Sequence, residues 1–311
     1  MIIESRAPVR IDFAGAWTDV PYFSHPFGGA TVNAAIDRYV TGRTVVGAPG
    51  EEKSGSKNDN AEGENSEGVS VTYQTDVPAG SGLGTSSALN VVWLSLAAAR
   101  SPQNSLERSR IAEQAYQVET VLGIIGGKQD HYAAAHGGFH LYEFEEKEVR
   151  AIPIGIDASR IAELEGLLTL CYSGQARHSS NLHQNVWGGF RAGRREVVDS
   201  LFQLRDSAYI AREILESGSF DRFGALLSSQ HKCAQQLDAS LSNELVEGIF
   251  DSVKNNISGG KCCGAGGGGC ILFCSDSPQK QKLVAQTLRD SGVRVIPFRF
   301  AMEGLTVTMS G

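Results

Sequence analysis

Between Pro78 and Ala88 the chain reads Pro-Ala-Gly-Ser-Gly-Leu-Gly-Thr-Ser-Ser-Ala: glycine at every second position, then three hydroxyls in a row. Glycine lets backbone N–H groups approach and point at an anion, and hydroxyls can donate to phosphate oxygens or ligate Mg²⁺. The apolar run from Ala88 to Ala99 reads as a helix, whose positive dipole end would fall at the same place. Gly80, Ser81, Gly82, Leu83, Gly84, Thr85, Ser86 and Ser87 are therefore a candidate triphosphate cradle. A Walker A loop would need a lysine after the final glycine, and none follows. The stretch Gly123-Ile124-Ile125-Gly126-Gly127-Lys128-Gln129 resembles one but is a residue short and ends in Gln. A dinucleotide fingerprint needs G-x-G-x-x-G, whereas the spacing here is G-x-G-x-G. A plain strand–helix turn would need neither so many glycines nor so many hydroxyls.

Transfer of a phosphoryl group asks for positioning and charge stabilisation more than covalent chemistry. Glu119 lies late in a helical pattern, and Asp130 follows a glycine-rich turn. Two carboxylates so spaced can reach one pocket from different elements. Glu119 could instead be an exposed helix carboxylate, and Asp130 a helix N-cap. Arg10 sits mid-strand in an apolar run, which is costly without a partner. Trp17-Thr18-Asp19 follows that strand. A loop carboxylate can accept sugar hydroxyls, and an aromatic ring can pack on a sugar's C–H face or simply in the core. Gly28 and Gly29 are expected to make a turn and helix start beneath this loop. Arg177-His178-Ser179-Ser180 forms a second polar cluster, suited to a sugar phosphate or, equally, to a capped helix end.

These residues need elements to hold them. Strands are expected near Ile11 to Phe13, Val40 to Val46, Val71 to Tyr73, and over 139–144, 149–154, 167–172, 269–274, 293–300 and 304–308. Ser105 is expected to cap a helix whose Ile111, Ala115, Val118 and Leu122 fall at helical spacing and which Gly123 ends. Residues 48–69 are too polar to bury and read as a solvated surface loop. Strands and helices without regular alternation indicate an α+β class, with a boundary near residue 155.

Of the 311 residues 41% are hydrophobic and 20% charged, with a formal net charge of −7. That is an ordinary globular composition with no basic run, a poor match to nucleic acid or an anionic membrane. No stretch reaches the length of a bilayer span, and the first residues do not read as a signal peptide, so a cytoplasmic setting is expected. Six cysteines include Cys262, Cys263, Cys270 and Cys274, whose spacing is not that of a zinc site. Cys270 and Cys274 flank an apolar run and read as small buried strand residues.

The segment Pro78–Ala88 closely resembles the second motif of the GHMP small-molecule kinases. Ala7-Pro8-Val9-Arg10-Ile11-Asp12-Phe13-Ala14-Gly15-Ala16-Trp17-Thr18-Asp19 is similar to their first motif. The run Gly264-Ala265-Gly266-Gly267-Gly268-Gly269 is similar to the third. The resemblance spans essentially the whole chain and looks nearest to kinases of a 7-phosphorylated heptose. It implies a two-domain fold, residues 1–155 as an N-terminal domain like ribosomal protein S5 and 156–311 as a ferredoxin-like C-terminal domain. It implies ATP and Mg²⁺ as cofactors, with the metal held by Ser86 and Glu119. It implies that Asp130 orients the sugar hydroxyl, with its deprotonation left open, and that Arg10 lies beside Asp130 and favours its anion. Asp19, Trp17, Thr18, Gly28 and Gly29 would recognise the sugar, and Arg177 a phosphate on it. Ala16 stands where relatives usually carry glycine, and His25 where an acidic residue is common. A fucose- or galactose-type acceptor and an inactive ATP- and sugar-binding sensor remain alternatives on the same scaffold.

Overall fold

A computed structural model describes residues 1–46, 63–65, 69–176 and 179–311. In chain order the elements of the first half are β1 (Ile2–Ala14), α1 (Pro21–Phe27), β2 (Gly29–Val46), β3 (Gly63–Asn65), β4 (Val69–Thr75), α2 (Thr85–Ala98), α3 (Ser105–Val121), α4 (Gln129–His136), β5 (Phe139–Phe144) and β6 (Val149–Pro153). There follow α5 (Ala158–Leu167), β7 (Leu168–Tyr172), α6 (Ser179–Arg191), α7 (Arg195–Ser217), α8 (Phe223–Leu237) and α9 (Glu244–Val253). The last elements are β8 (Gly259–Cys262), β9 (Cys270–Cys274), α10 (Pro278–Asp290), β10 (Arg294–Ile296) and β11 (Thr306–Ser310).

The first sheet runs β11-β1-β2-β4-β3, with β5 on the far stretch of β2 and β6 beside β5. From Ala7 to Ala14 every residue of β1 is buried. The strand is covered by α2 and α4 and also by α7 and α8, so it shows no polar alternation. Two charges, Arg10 and Asp12, are buried in that stretch. Being two apart on a strand, they face the same side, and each must find a partner. The second sheet is antiparallel in the order β10-β7-β9-β8. Numbered along the chain that is 4-1-3-2, the ferredoxin-like arrangement. The α+β expectation holds, and a strand from the second half, β11, completes the edge of the first sheet.

Several local expectations are corrected. Gly28 and Gly29 begin no helix: Gly28 ends α1, and Gly29 opens β2, which pairs with β1 and β5 at once. Asn104, not Ser105, caps α3, its side chain accepting from Glu107 N–H. Asp130 is not a cap but lies in the first turn of α4. The expected strand 293–300 stops at Ile296 because Pro297 cannot donate to the ladder. Phe300 instead turns inward against Phe139, ring centroids 4.6 Å apart. Within 48–69, Gly63–Asn65 pairs with β4, and most of the rest lies outside the described residues. No described helix is long and apolar enough to cross a membrane. All six cysteines are buried, and no disulfide joins them.

Candidate active site

The glycine-rich segment, α3 with the loop after it, α4, the end of β1 and the third glycine run enclose one cleft of about 250 Å³. Gly80, Gly82 and Gly84 all have positive φ, which coils the segment so that α2 starts directly from Gly84. The first amides of a helix have no intrahelical acceptor, so those of α2 are available to an anion. Gly80, Ser81, Gly82, Gly84, Thr85, Ser86 and Ser87 line the cleft. Leu83 does not: its side chain is fully buried, and its carbonyl accepts from Arg10 N–H at 3.0 Å. The hydrophobic residue thus anchors the loop on β1 while its neighbours face the cavity.

The third glycine run secures the same loop from the other sheet. The Cys270 N–H donates to the Ser81 carbonyl at 2.7 Å. Gly269 has φ +72°, and a Cβ there would lie 2.6 Å from Ser81 O. Gly269→Ala therefore has to push the glycine-rich loop aside as well as hold an unfavourable backbone, a strain of roughly 1–3 kcal/mol. We expect the variant to melt several degrees lower and to bind an ATP analogue about tenfold more weakly. Equal affinity in calorimetric titration would remove the proposed coupling between the two loops.

Arg10 organises the centre. Its Nη2 and Nε lie 2.6 and 2.8 Å from Asp130 Oδ1, and its Nη1 donates to the Gly82 carbonyl at 2.6 Å. Burial alone would lower the guanidinium's pKa, but Asp130 and Asp12 reverse this and raise it. The arginine is therefore a fixed cation joining the Asp130 carboxylate to the glycine-rich loop. A Cβ on Gly84 would lie 3.1 Å from Asp130, which puts this carboxylate directly against the helix start.

Glu119 is buried at the end of α3, not displayed on its surface. Its Oε1 accepts from Asn90 Nδ2 at 3.0 Å and Ser87 Oγ at 3.4 Å, and His131 Nε2 lies 3.4 Å away. Ser86, Ser87 and Glu119 all line the cleft. Such an oxygen donor set suits a hard cation such as Mg²⁺. Lys128, the lysine of the Walker-like stretch, instead pairs with Glu113 at 2.9 Å.

At the other end, Asp19 accepts from Gln129 N–H at 2.9 Å. Burial pushes its carboxyl up to about 6; the Gln129 hydrogen bond opposes this and the Asp130 charge adds to it. Trp17 is held at φ 78° and packs on His183, ring centroids 4.7 Å apart. It both lines the cleft and belongs to a core cluster with Trp187, Leu201 and Leu237, so wall and core are the same ring. Thr18 faces away: its fully buried hydroxyl bonds to the carbonyls of Gly15 and Ala30 and accepts from Ala30 N–H. Gly28 and Gly29 lie at a separate surface depression beside Arg205 and Tyr209, and His25 is exposed on α1. Arg177 lies outside the described residues.

Sequence reading missed Ile124, Ile125 and His183 as cleft residues. The rejected Walker-like run in fact forms a wall, its glycines being the one local sign. His183 carries no sequence signal, since its Nδ1 accepts from Trp187 Nε1 at 3.2 Å within α6 and its place beside Trp17 is tertiary.

Comparison with known proteins agrees with this architecture. Residues 52–138 match the GHMP kinases N terminal domain, and residues 211–294 match GHMP kinases C terminal. The chain is 28% identical to the D-glycero-alpha-D-manno-heptose 7-phosphate kinase of Campylobacter jejuni, covering 97% of this chain and 98% of that one. It is 27% identical to the bifunctional fucokinase/GDP-fucose pyrophosphorylase of Arabidopsis thaliana, covering 91% of this chain but 31% of that protein. The crystal structure of a D-glycero-D-manno-heptose 1-phosphate kinase from Bacteriodes thetaiotaomicron superposes with a TM-score of 0.74 at 23% identity, covering 99% of each chain. With both domain models matched in order and the phosphate loop, Arg10–Asp130 pair and third glycine run meeting at one cleft, the chain belongs to the GHMP kinases, a family of ATP-dependent small-molecule kinases.

Proposed function

We propose that the protein transfers the γ-phosphoryl group of ATP to the anomeric hydroxyl of a heptose already bearing a 7-phosphate, giving the 1-phosphate. One observation carries the chemistry: Asp130, tied to Arg10, stands directly opposite the free amides at the start of α2. A hydroxyl placed on Asp130 would thus face the terminal phosphate of a nucleotide held by Gly80–Ser87. Asp130 orients that hydroxyl and takes its proton as the new P–O bond forms and the bond from the γ-phosphorus to the bridging oxygen of ADP breaks, the charge left on ADP facing the amides at the start of α2. Asp19 accepts from further sugar hydroxyls, with Trp17 and His183 as the adjoining wall. The heptose 7-phosphate acceptor rests on likeness to the Campylobacter jejuni kinase, with Arg177 as the residue assigned to the substrate's own phosphate. A cytoplasmic setting, with its ATP supply, belongs to the same proposal.

Mg²⁺ fits the acid and hydroxyls of Glu119, Ser86 and Ser87. When bound it would neutralise phosphate charge. Among the described residues no three His, Cys, Asp or Glu side chains converge to hold an ion by themselves, so the remaining ligands would be phosphate oxygens and water. Glu119→Gln is expected to raise the Mg²⁺ concentration for half-maximal activity about tenfold, with Mg²⁺-free ADP binding unchanged. An unaltered magnesium curve would remove Glu119 from the metal site.

The acceptor is tested by ADP release over a panel of heptoses with and without the 7-phosphate, fucose, galactose and mevalonate. The expected preference is for the phosphorylated heptose, by about tenfold or more in kcat/KM, and Arg177→Ala should erase it. A higher kcat/KM on fucose or mevalonate would overturn the assignment. No turnover on any acceptor, with ATP still bound, would favour a sensor.

A further inference from the structure

Arg10 stands between two carboxylates. It bonds to Asp130, while its Nη1 is 3.6 Å from Asp12 Oδ1, a small side-chain movement short of a hydrogen bond. Asp12 is fully buried on the same strand face as Arg10. Left to itself, it would compete for the guanidinium. It is occupied instead by Lys261 on β8, a residue of the second sheet with 3% exposure. The Lys261 ammonium bonds to Asp12 Oδ2, and to the Asp12 carbonyl at 2.8 Å. Asp12 Oδ1 accepts from Gly264 N–H at 2.7 Å. Lys261, Asp12, Arg10 and Asp130 thus form a series of alternating charges that runs from a buried lysine of the second sheet to the partly exposed Asp130 at the cleft.

The geometry points to Lys261 as a positioning residue that commits Arg10 to Asp130. By neutralising Asp12, it removes the rival for the guanidinium. Its importance should therefore depend on Asp12 being an anion. The same bonds seat Gly264, a cleft residue, so a change in Lys261 reaches the site from two directions. The catalytic consequence rests on the kinase reading above, but the allocation of Arg10 does not. The two can fail separately.

The test is a double-mutant cycle with Lys261→Met, Asp12→Asn and both together. The crystal structure of Lys261→Met should show Arg10 turned onto Asp12 and Asp130 released. Its kcat should fall about tenfold or more, with the KM for ATP changed less than about threefold. Adding Asp12→Asn should return Arg10 to Asp130 and restore most of kcat. Arg10 still on Asp130 in Lys261→Met would overturn the inference, whatever the activity. So would a kcat loss that persists in the double variant, since Lys261 would then act through something other than the Asp12 charge. Should Lys261→Met not fold, Asp12→Asn alone is compared with the double variant. Both should keep Arg10 on Asp130 and agree in kcat within about threefold, and a tenfold gap would refute the assignment.

Discussion

Asp130→Asn should abolish turnover, lowering kcat by about three orders of magnitude or more, while an ATP analogue binds as before. The side chain keeps its size and one oxygen for Arg10, so the loss isolates the carboxylate's charge and its ability to receive a proton. The main-chain tie of the loop, Arg10 N–H on the Leu83 carbonyl, does not involve that charge. The counter-effect is an Arg10 cation left buried without its main partner, which costs stability. Asp130 itself is 24% exposed and Asp12 remains nearby, which moderates that cost. A melting curve and calorimetric titration of the analogue separate folding from chemistry. A folded variant that retains a tenth of wild-type kcat would show that Asp130 is not the residue that handles the acceptor hydroxyl.

The second large effect concerns Asp19. An ordinary aspartate titrates at 3.8, and this one near 6 because it is buried. The native state therefore holds the proton more tightly than the unfolded chain does. Stability from this group is fully present below pH 4 and is lost as pH rises through 6. At neutral pH the buried anion costs about 3 kcal/mol by that difference. Asp19→Asn should accordingly stabilise the protein by roughly 2–3 kcal/mol at pH 7.5, and by close to nothing at pH 4. The same change should raise the KM for the sugar about a hundredfold, because one buried charged acceptor is lost. Urea unfolding at the two pH values, with sugar KM at neutral pH, measures both. A variant equally stable relative to wild type at both pH values would remove the linkage, and an unchanged KM would remove Asp19 from the sugar end.

Features that act locally are the ones legible in the sequence. Positive-φ glycines followed by hydroxyls announce a loop that bares its amides, and the structure coils Gly80–Gly84 in that way. Arg10 was readable because a charge in an apolar strand demands a partner, though the strand could not say which carboxylate would answer. Where tertiary pairing overrides local signal, the reading failed. Gly28-Gly29 looks like a turn before a helix, yet β2 is held on both sides by β1 and β5 and buried on both faces from Gly29 to Ile36. Such a strand shows no alternation to recognise. Thr18 sits beside Trp17 and Asp19 in sequence but commits its hydroxyl to the backbone. Asp12 carries no sign that its counter-charge lies on β8, in the other sheet.

The pairing of β11 with Ile2–Arg6 has a consequence for biosynthesis. The strand that bears Arg10 leaves the ribosome well before its outer neighbour, from which nearly all of the described chain separates it. Vectorial folding of the first lobe would therefore wait with one ladder of unsatisfied amides until residues 306–310 emerge. During that interval the exposed edge is where a nascent chain would recruit a chaperone or pair with its polysomal neighbour.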